Sequence, residues 1–152
     1  MELLDRITSW LHLSADAPPP PPLPEPDARL ALGVLLVRVA KADHVYLFEE
    51  LEQIDRILAV QNGIGPIEAA KMRATCERID DAIPNTPRFT DLIRAAVPYE
   101  ERRVIVDALW KVSLADGIEH EQEVALVELI EKELGVNRAH SAEARASAEV
   151  IP

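Results

Sequence analysis

The sequence repeats one helix–turn–helix pattern at an interval of 73 residues, and this repeat constrains the fold more than any other feature. When Asp43 is aligned with Asp116, Glu50 aligns with Glu123. The other matched pairs are Arg38 with Lys111, Val39 with Val112, Ala40 with Ser113, Ala42 with Ala115, Leu51 with Val124, Ile54 with Val127, and Ile57 with Ile130. A supersecondary unit that occurs twice predicts a pseudo-symmetric bundle of two helix hairpins.

The sequence between and around the two repeats also has helical periodicity. Apolar residues recur at helical spacing, and no window alternates between apolar and polar residues as a half-buried strand does. Prolines and glycines separate the apolar segments, so the helices should be joined by short connections. The fold class is therefore predicted to be all-α, with antiparallel packing. The predicted helices of the body cover residues 27–43, 47–60, 66–83, 88–97, 98–114 and 121–134.

Proline separates the N-terminal segment from this body. Seven of the 12 prolines lie between Pro18 and Pro26. Because proline fixes φ and lacks a backbone N–H, residues 14–26 should form an extended linker. Residues 1–13 have the pattern of an amphipathic helix, which would dock on the domain, bind a partner or dimerise. The polar, alanine-rich residues 137–152 are expected to be a weakly helical or frayed tail.

Charge and composition exclude several classes of function. The net charge is −11, whereas binding to nucleic acid requires clustered lysine and arginine. No apolar run is long enough to cross a bilayer, so membrane insertion is not expected. The N-terminus lacks the pattern of a secretory signal, and we expect a cytoplasmic protein. Cys76 is the one cysteine, which rules out a disulfide framework and suggests a buried, inert thiol.

The negative charge is concentrated in the two repeats. Residues 41–55 contain five acidic residues and one basic residue, and residues 116–133 contain seven and one. The remainder of the chain is nearly neutral. Acidity this local indicates a binding surface rather than a general aid to solubility.

The repeated unit, an Ala-Asp pair with a glutamate seven positions after the aspartate, resembles that of the TerB-like family. This family includes tellurite-resistance proteins and the N-terminal domain of the co-chaperone DjlA. The segment Leu114-Ala115-Asp116-Gly117 with Glu123 is similar to the family's usual unit. In the first repeat His44 replaces the glycine, although histidine tolerates positive φ better than most residues.

The resemblance covers residues 27–136, and the segment 89–100 looks like that of a mostly uncharacterised proteobacterial branch. The resemblance implies an all-α bundle of about seven helices, without an established enzymatic activity. It also implies a role for the acidic residues in binding divalent metals. The positions that would carry this role are Asp43, Glu50, Asp116 and Glu123.

The same carboxylates also have a purely structural explanation. Glu50 and Glu123 would each occupy the third position of a helix, where glutamate caps exposed N–H groups and contributes about 0.5–2 kcal/mol. Asp43 and Asp116 follow helix C-termini, where they could accept N–H groups of the next turn or be neutralised by a cation. Ca²⁺ or Mg²⁺ would suit the carboxylates better than Zn²⁺. Participation of His44 and His120 would instead favour Zn²⁺ or Ni²⁺.

These observations favour a non-enzymatic acidic binding or scaffold module of a bacterial stress system. The sequence contains no glycine-rich phosphate loop and no motif of a serine hydrolase or zinc protease. The alternative is a plain protein–protein interaction domain whose carboxylates act only as helix caps. In either case we expect a protein partner, and a homo-oligomer is left open.

Overall fold

The computed structural model describes residues 22–150, with residue 150 described by its backbone alone. This part of the chain forms seven α-helices and no strand, which confirms the predicted all-α class. The N-terminal helix predicted over residues 1–13 lies outside the described residues. The helices are α1 (Ala28–Ala40), α2 (Phe48–Asn62), α3 (Pro66–Ala82), α4 (Thr86–Ala96), α5 (Tyr99–Ser113), α6 (Glu121–Glu133) and α7 (Arg138–Val150).

Helix α1 is the central helix of the bundle. It begins at Asp27, whose Oδ1 accepts the N–H of Leu30 at 2.8 Å, as expected of an N-cap. Nearly every residue of α1 is buried, and it packs against α2, α3, α4, α5 and α6. A helix that is covered on all sides needs apolar residues all round, which explains its continuous apolar sequence.

Close packing at the middle of α1 requires a glycine. A Cβ added to Gly33 would lie 2.4 Å from the Sγ of Cys76, which belongs to α3. The backbones of α1 and α3 therefore approach as closely as the absence of a side chain allows. Cys76 is fully buried at this contact, in agreement with its predicted packing role.

The end of α1 is fixed to the corner between α3 and α4 by one arginine. The Nε of Arg38 donates to Asp80 at 2.7 Å, and its Nη2 donates to the carbonyl oxygen of Ile83 at 2.5 Å. The guanidinium also lies over the ring of Phe89, 5.1 Å from the centroid. These contacts fix the end of α1, which the acidic turn follows, to α3 and α4.

Helix α7 packs on α5, although the sequence predicted a weak or frayed helix after residue 136. The Nε1 of Trp110 donates to Ser141 at 2.9 Å in a buried position, and Ser141 in turn donates to Glu131. The hydroxyl of Tyr99 lies 2.7 Å from the Nδ1 of His140. The packed body thus continues beyond residue 136, because hydrogen bonds anchor α7 where apolar periodicity is weak.

The last residues of the predicted linker lie against the body. Pro26 is buried, and Leu23 packs on the hydrophobic core. Glu25 also pairs with Arg88 at 3.3 Å on the surface. Residues 22–26 therefore contact the domain at the start of α1.

The two predicted hairpins are α1–α2 and α5–α6. Ala40 ends α1 and Ser113 ends α5, which are equivalent positions of the repeat. In the turns that follow, His44 and Gly117 have matching positive φ angles of 65° and 77°. The matched turn geometry shows that the repeat seen in the sequence is also a structural repeat, and that His44 accepts the backbone conformation of a glycine.

Candidate metal centre

Each acidic turn is closed by its own aspartate. The Oδ1 of Asp43 accepts the N–H of Val45 at 3.0 Å, and the Oδ1 of Asp116 accepts that of Ile118 at 3.0 Å. These bonds offset the cost of an anion near a helix C-terminus. They occupy one oxygen of each carboxylate, and the Oδ2 atoms are turned towards a shared neighbour.

That neighbour is His120, which brings the two turns together. Its Nε2 lies 2.8 Å from the Oδ2 of Asp116, and its Nδ1 lies 3.4 Å from the Oδ2 of Asp43. The imidazole is about three-quarters buried, and both aspartate side chains are more so. One histidine thus contacts carboxylates from both repeats.

Two glutamates lie beneath this histidine, and they differ in their partners. Glu50 and Glu123 are 1% and 0% exposed. The Oε1 of Glu50 accepts the N–H of Leu47 at 3.1 Å, as the helix-cap interpretation predicted. Among the described residues, no N–H or hydroxyl group donates to Glu123 or to the Oε2 of Glu50. The two carboxyl groups lie close enough for a protonated Glu123 to donate a hydrogen bond to Glu50. The capping explanation therefore accounts for one oxygen of Glu50, whereas its other oxygen and the Glu123 carboxyl group need a shared proton or a cation.

A buried carboxylate without a partner is costly and requires a proton or a cation. Burial raises the pKa of Glu123 far above its usual range, and proximity to Glu50 and Asp43 raises it further. Burial likewise raises the pKa of Glu50. The hydrogen bond with Asp116 raises the pKa of His120. All of these shifts have the sign expected where negative charge is crowded away from water.

The arrangement of the donor atoms fits a metal ion. Asp43, His120 and Glu123 each offer one ligand atom, and these atoms lie within 4.8 Å of one another. Carboxylate oxygen and imidazole nitrogen are both common ligands of divalent cations. The Oε2 of Glu123 is 3.9 Å from the Nε2 of His120, so this carboxyl group faces the same space.

The structure brings together the four acidic residues predicted from the sequence, in unequal roles. Asp43 and Glu123 face the shared space, Asp116 contacts His120, and Glu50 caps α2 with one oxygen. The sequence analysis did not place His120 among the principal ligands. Its position four residues after Asp116 and three before Glu123 was the available signal, but the proximity of Asp43 depends on the tertiary fold.

The fold and this centre define a class of protein. It is an all-α bundle in which each of two related hairpins contributes one acidic turn. The family model of tellurite resistance protein TerB matches residues 29–146. The chain therefore belongs to the TerB family. No curated protein and no solved structure matches the chain. Among the described residues, no helix is both long and apolar enough to cross a membrane.

Proposed function

We propose that this TerB-family protein is a non-enzymatic binding module in which the two acidic turns jointly hold one divalent metal ion. The observation that carries the proposal is Glu123, which is fully buried, receives no N–H or hydroxyl donor from the described residues, and has the equally buried Glu50 carboxyl group beside it. A cation between Glu123 and Asp43 would compensate the charge that burial otherwise penalises. It would also join the two hairpins through side chains that come from both.

The non-enzymatic part of the proposal is supported by the one thiol of the chain. Burial raises the pKa of Cys76 to about 12, so that no nucleophilic thiolate forms near neutral pH. Cys76 also faces α1 at its closest contact with α3, where a substrate has no access. Because the family is named for tellurite resistance, we place the module in a bacterial stress response.

A protein partner would bind over the centre in this proposal. The residue two positions after each aspartate, Val45 in the first turn and Ile118 in the second, is apolar and exposed. Phe48, at the start of α2, is also exposed. Apolar side chains beside a strongly acidic surface suit a partner segment that carries both basic and apolar residues.

The competing function is that of an interaction domain without a metal, in which Glu123 is protonated. The hydrogen bond of Glu50 to Leu47 favours this alternative for the first repeat. The same acidic and apolar surface would then bind the partner directly. The two functions differ in whether divalent cations stabilise the fold.

Thermal unfolding of chelator-treated full-length protein tests the proposal. The melting temperature is measured with Ca²⁺, Mg²⁺, Mn²⁺ and Zn²⁺ on the wild type, on Glu123→Gln and on the control Glu121→Gln, an exposed position of the same helix. An ion present at 100 times its Kd should stabilise the wild type by about 2.7 kcal/mol, a shift of several degrees. The control should keep this shift and Glu123→Gln should lose it.

Two results would count against a metal. One is a wild-type melting temperature that no cation changes. The other is a shift that Glu123→Gln retains in full, since binding would then lie elsewhere. Because glutamine carries no charge, Glu123→Gln should be at least as stable as the metal-free wild type, so loss of the shift would not result from misfolding.

A further inference from the structure

We infer that the centre selects d-block ions such as Zn²⁺ and Co²⁺ over Ca²⁺ and Mg²⁺, because His120 is a ligand that Asp116 positions. The inference rests on the proposed function and names its ligand class. It differs from the expectation drawn from the sequence, in which the carboxylates alone favoured Ca²⁺ or Mg²⁺.

His120 is held in place by residues of both repeats. It is the N-cap residue of α6, and its ring is held between Asp116 of its own turn and Asp43 of the other repeat. An ion that reaches both Asp43 and Glu123 must therefore also lie within reach of the imidazole.

The two ring nitrogens of His120 face different carboxylates. The Nε2 is 2.8 Å from the Oδ2 of Asp116, which is the distance of a hydrogen bond donated to a carboxylate. In the neutral ring this bond leaves Nδ1 as the atom with a lone pair, 3.4 Å from the Oδ2 of Asp43. Two such lone pairs repel unless a proton or a cation lies between them. A histidine that binds metal commonly donates its other N–H to a carboxylate, the role that Asp116 has here.

Selectivity follows from the set of ligand atoms. Ca²⁺ takes six to eight oxygen ligands and Mg²⁺ takes octahedral oxygen, whereas the ligand atoms that lie together here come from an imidazole and two carboxyl groups, with Glu50 adjacent to Glu123. Imidazole suits Zn²⁺ and its d-block neighbours. Three protein ligands, with water completing the coordination, match the number usual for an open zinc site.

The test uses Co²⁺ as a spectroscopic probe on the full-length, chelator-treated protein. Visible absorption bands report Co²⁺ bound to the centre, and Zn²⁺, Ca²⁺ and Mg²⁺ are then added as competitors. The variants are His120→Gln, Asp116→Asn and the control His44→Asn, which alters an exposed histidine of the other turn. Asparagine tolerates the positive φ of that control position.

We expect Zn²⁺ to displace Co²⁺ at equimolar concentration, and an approximately 100-fold excess of Ca²⁺ or Mg²⁺ to leave the bands unchanged. His120→Gln should weaken Co²⁺ binding at least about 100-fold. Asp116→Asn should weaken it by about 10–100-fold and change the position of the bands, since the orientation and basicity of the imidazole change. His44→Asn should bind like the wild type.

The outcomes separate this inference from the proposed function. Binding of Ca²⁺ or Mg²⁺ in preference to Co²⁺ and Zn²⁺, or full Co²⁺ affinity in His120→Gln, would overturn the inference while leaving a metal module in place. Asp116→Asn that loses Co²⁺ as completely as His120→Gln would make Asp116 a ligand rather than a positioning residue. A wild type that binds no ion would overturn both.

Discussion

The two acidic turns have the same backbone and different chemistry. In both, a residue with positive φ follows the aspartate, and the aspartate accepts an N–H two positions later at 3.0 Å. Both glutamates are buried, yet the first caps its helix with one oxygen, while the second caps nothing and lies beside His120. The difference fits the composite site that we propose, to which each repeat would contribute what the other lacks.

The helices that precede the two turns also differ, in the partners of their equivalent basic residues. Arg38 and Lys111 occupy equivalent positions, but Arg38 joins three other segments of the bundle. Lys111 pairs only locally, with Asp107 one helical turn before it at 2.9 Å. The first repeat is therefore the anchored half of the molecule, and the second carries the distinctive ligand chemistry.

Replacing these two equivalent cations by methionine should reveal the largest difference. Arg38→Met leaves Asp80 without its most buried partner, and we expect a loss of about 3 kcal/mol in the free energy of unfolding. Lys111→Met should cost about 0.5 kcal/mol or less, because its ion pair is one-third exposed. Urea denaturation measures both values. Equal losses in the two variants would remove the distinction between an anchored and an unanchored repeat.

A second contrast lies at the middle of the same helices, where Gly33 of α1 is equivalent to Val106 of α5. Gly33→Ala places a methyl group 2.4 Å from the sulfur of Cys76 and should cost about 1–3 kcal/mol by overpacking. Cys76→Ala in the Gly33→Ala background should recover part of this loss, as a double-mutant cycle would show. If Gly33→Ala and Cys76→Ala change the free energy of unfolding independently, so that their effects add, the close approach of α1 and α3 does not require the glycine.

The pH dependence of stability should report the raised pKa values of Glu123 and His120 in the second repeat. The folded-state pKa of Glu123 is raised, so this group favours folding at low pH and the contribution is lost as pH rises above about 4.5. His120, whose pKa is also raised, loses its contribution as pH rises from 6.5 through its folded value. Chelator-treated wild type should therefore lose stability as the pH rises from 5 to 8.

Glu123→Gln should flatten this profile and be the more stable protein at pH 8. Glu121→Gln, the exposed control of the same helix, should follow the wild type. A wild type that gains stability over this range would mean that Glu123 is ionised and satisfied in the metal-free protein.

The smallest effect is expected at the tips of the turns. His44→Gly relieves a side chain in the left-handed region and should stabilise the fold by about 0.5 kcal/mol, whereas Gly117→Ala should destabilise it by about 1 kcal/mol. If His44→Gly raises the melting temperature and Gly117→Ala lowers it, both turns require a backbone with positive φ. A neutral Gly117→Ala would show that the second turn relaxes freely.

The sequence predicted the helices well because apolar periodicity and the proline and glycine boundaries act locally. It did not predict the packing of α7, since Ser141 and His140 are anchored by distant aromatic residues and only small alanines of this helix reach the core. At the centre, the repeat alignment selected Asp43 and Glu123. His120 required the tertiary fold, because the turn that supplies Asp43 is far away in sequence.

The most direct test of a composite centre is the number of ions bound per chain. Equilibrium dialysis against Zn²⁺ followed by elemental analysis should give one ion per wild-type chain. Asp43→Asn and Glu123→Gln should each reduce this number to nearly zero, although the two residues belong to different repeats, and Glu121→Gln should leave it unchanged. Two ions per chain, or one ion retained by Asp43→Asn, would contradict a single site shared between the repeats.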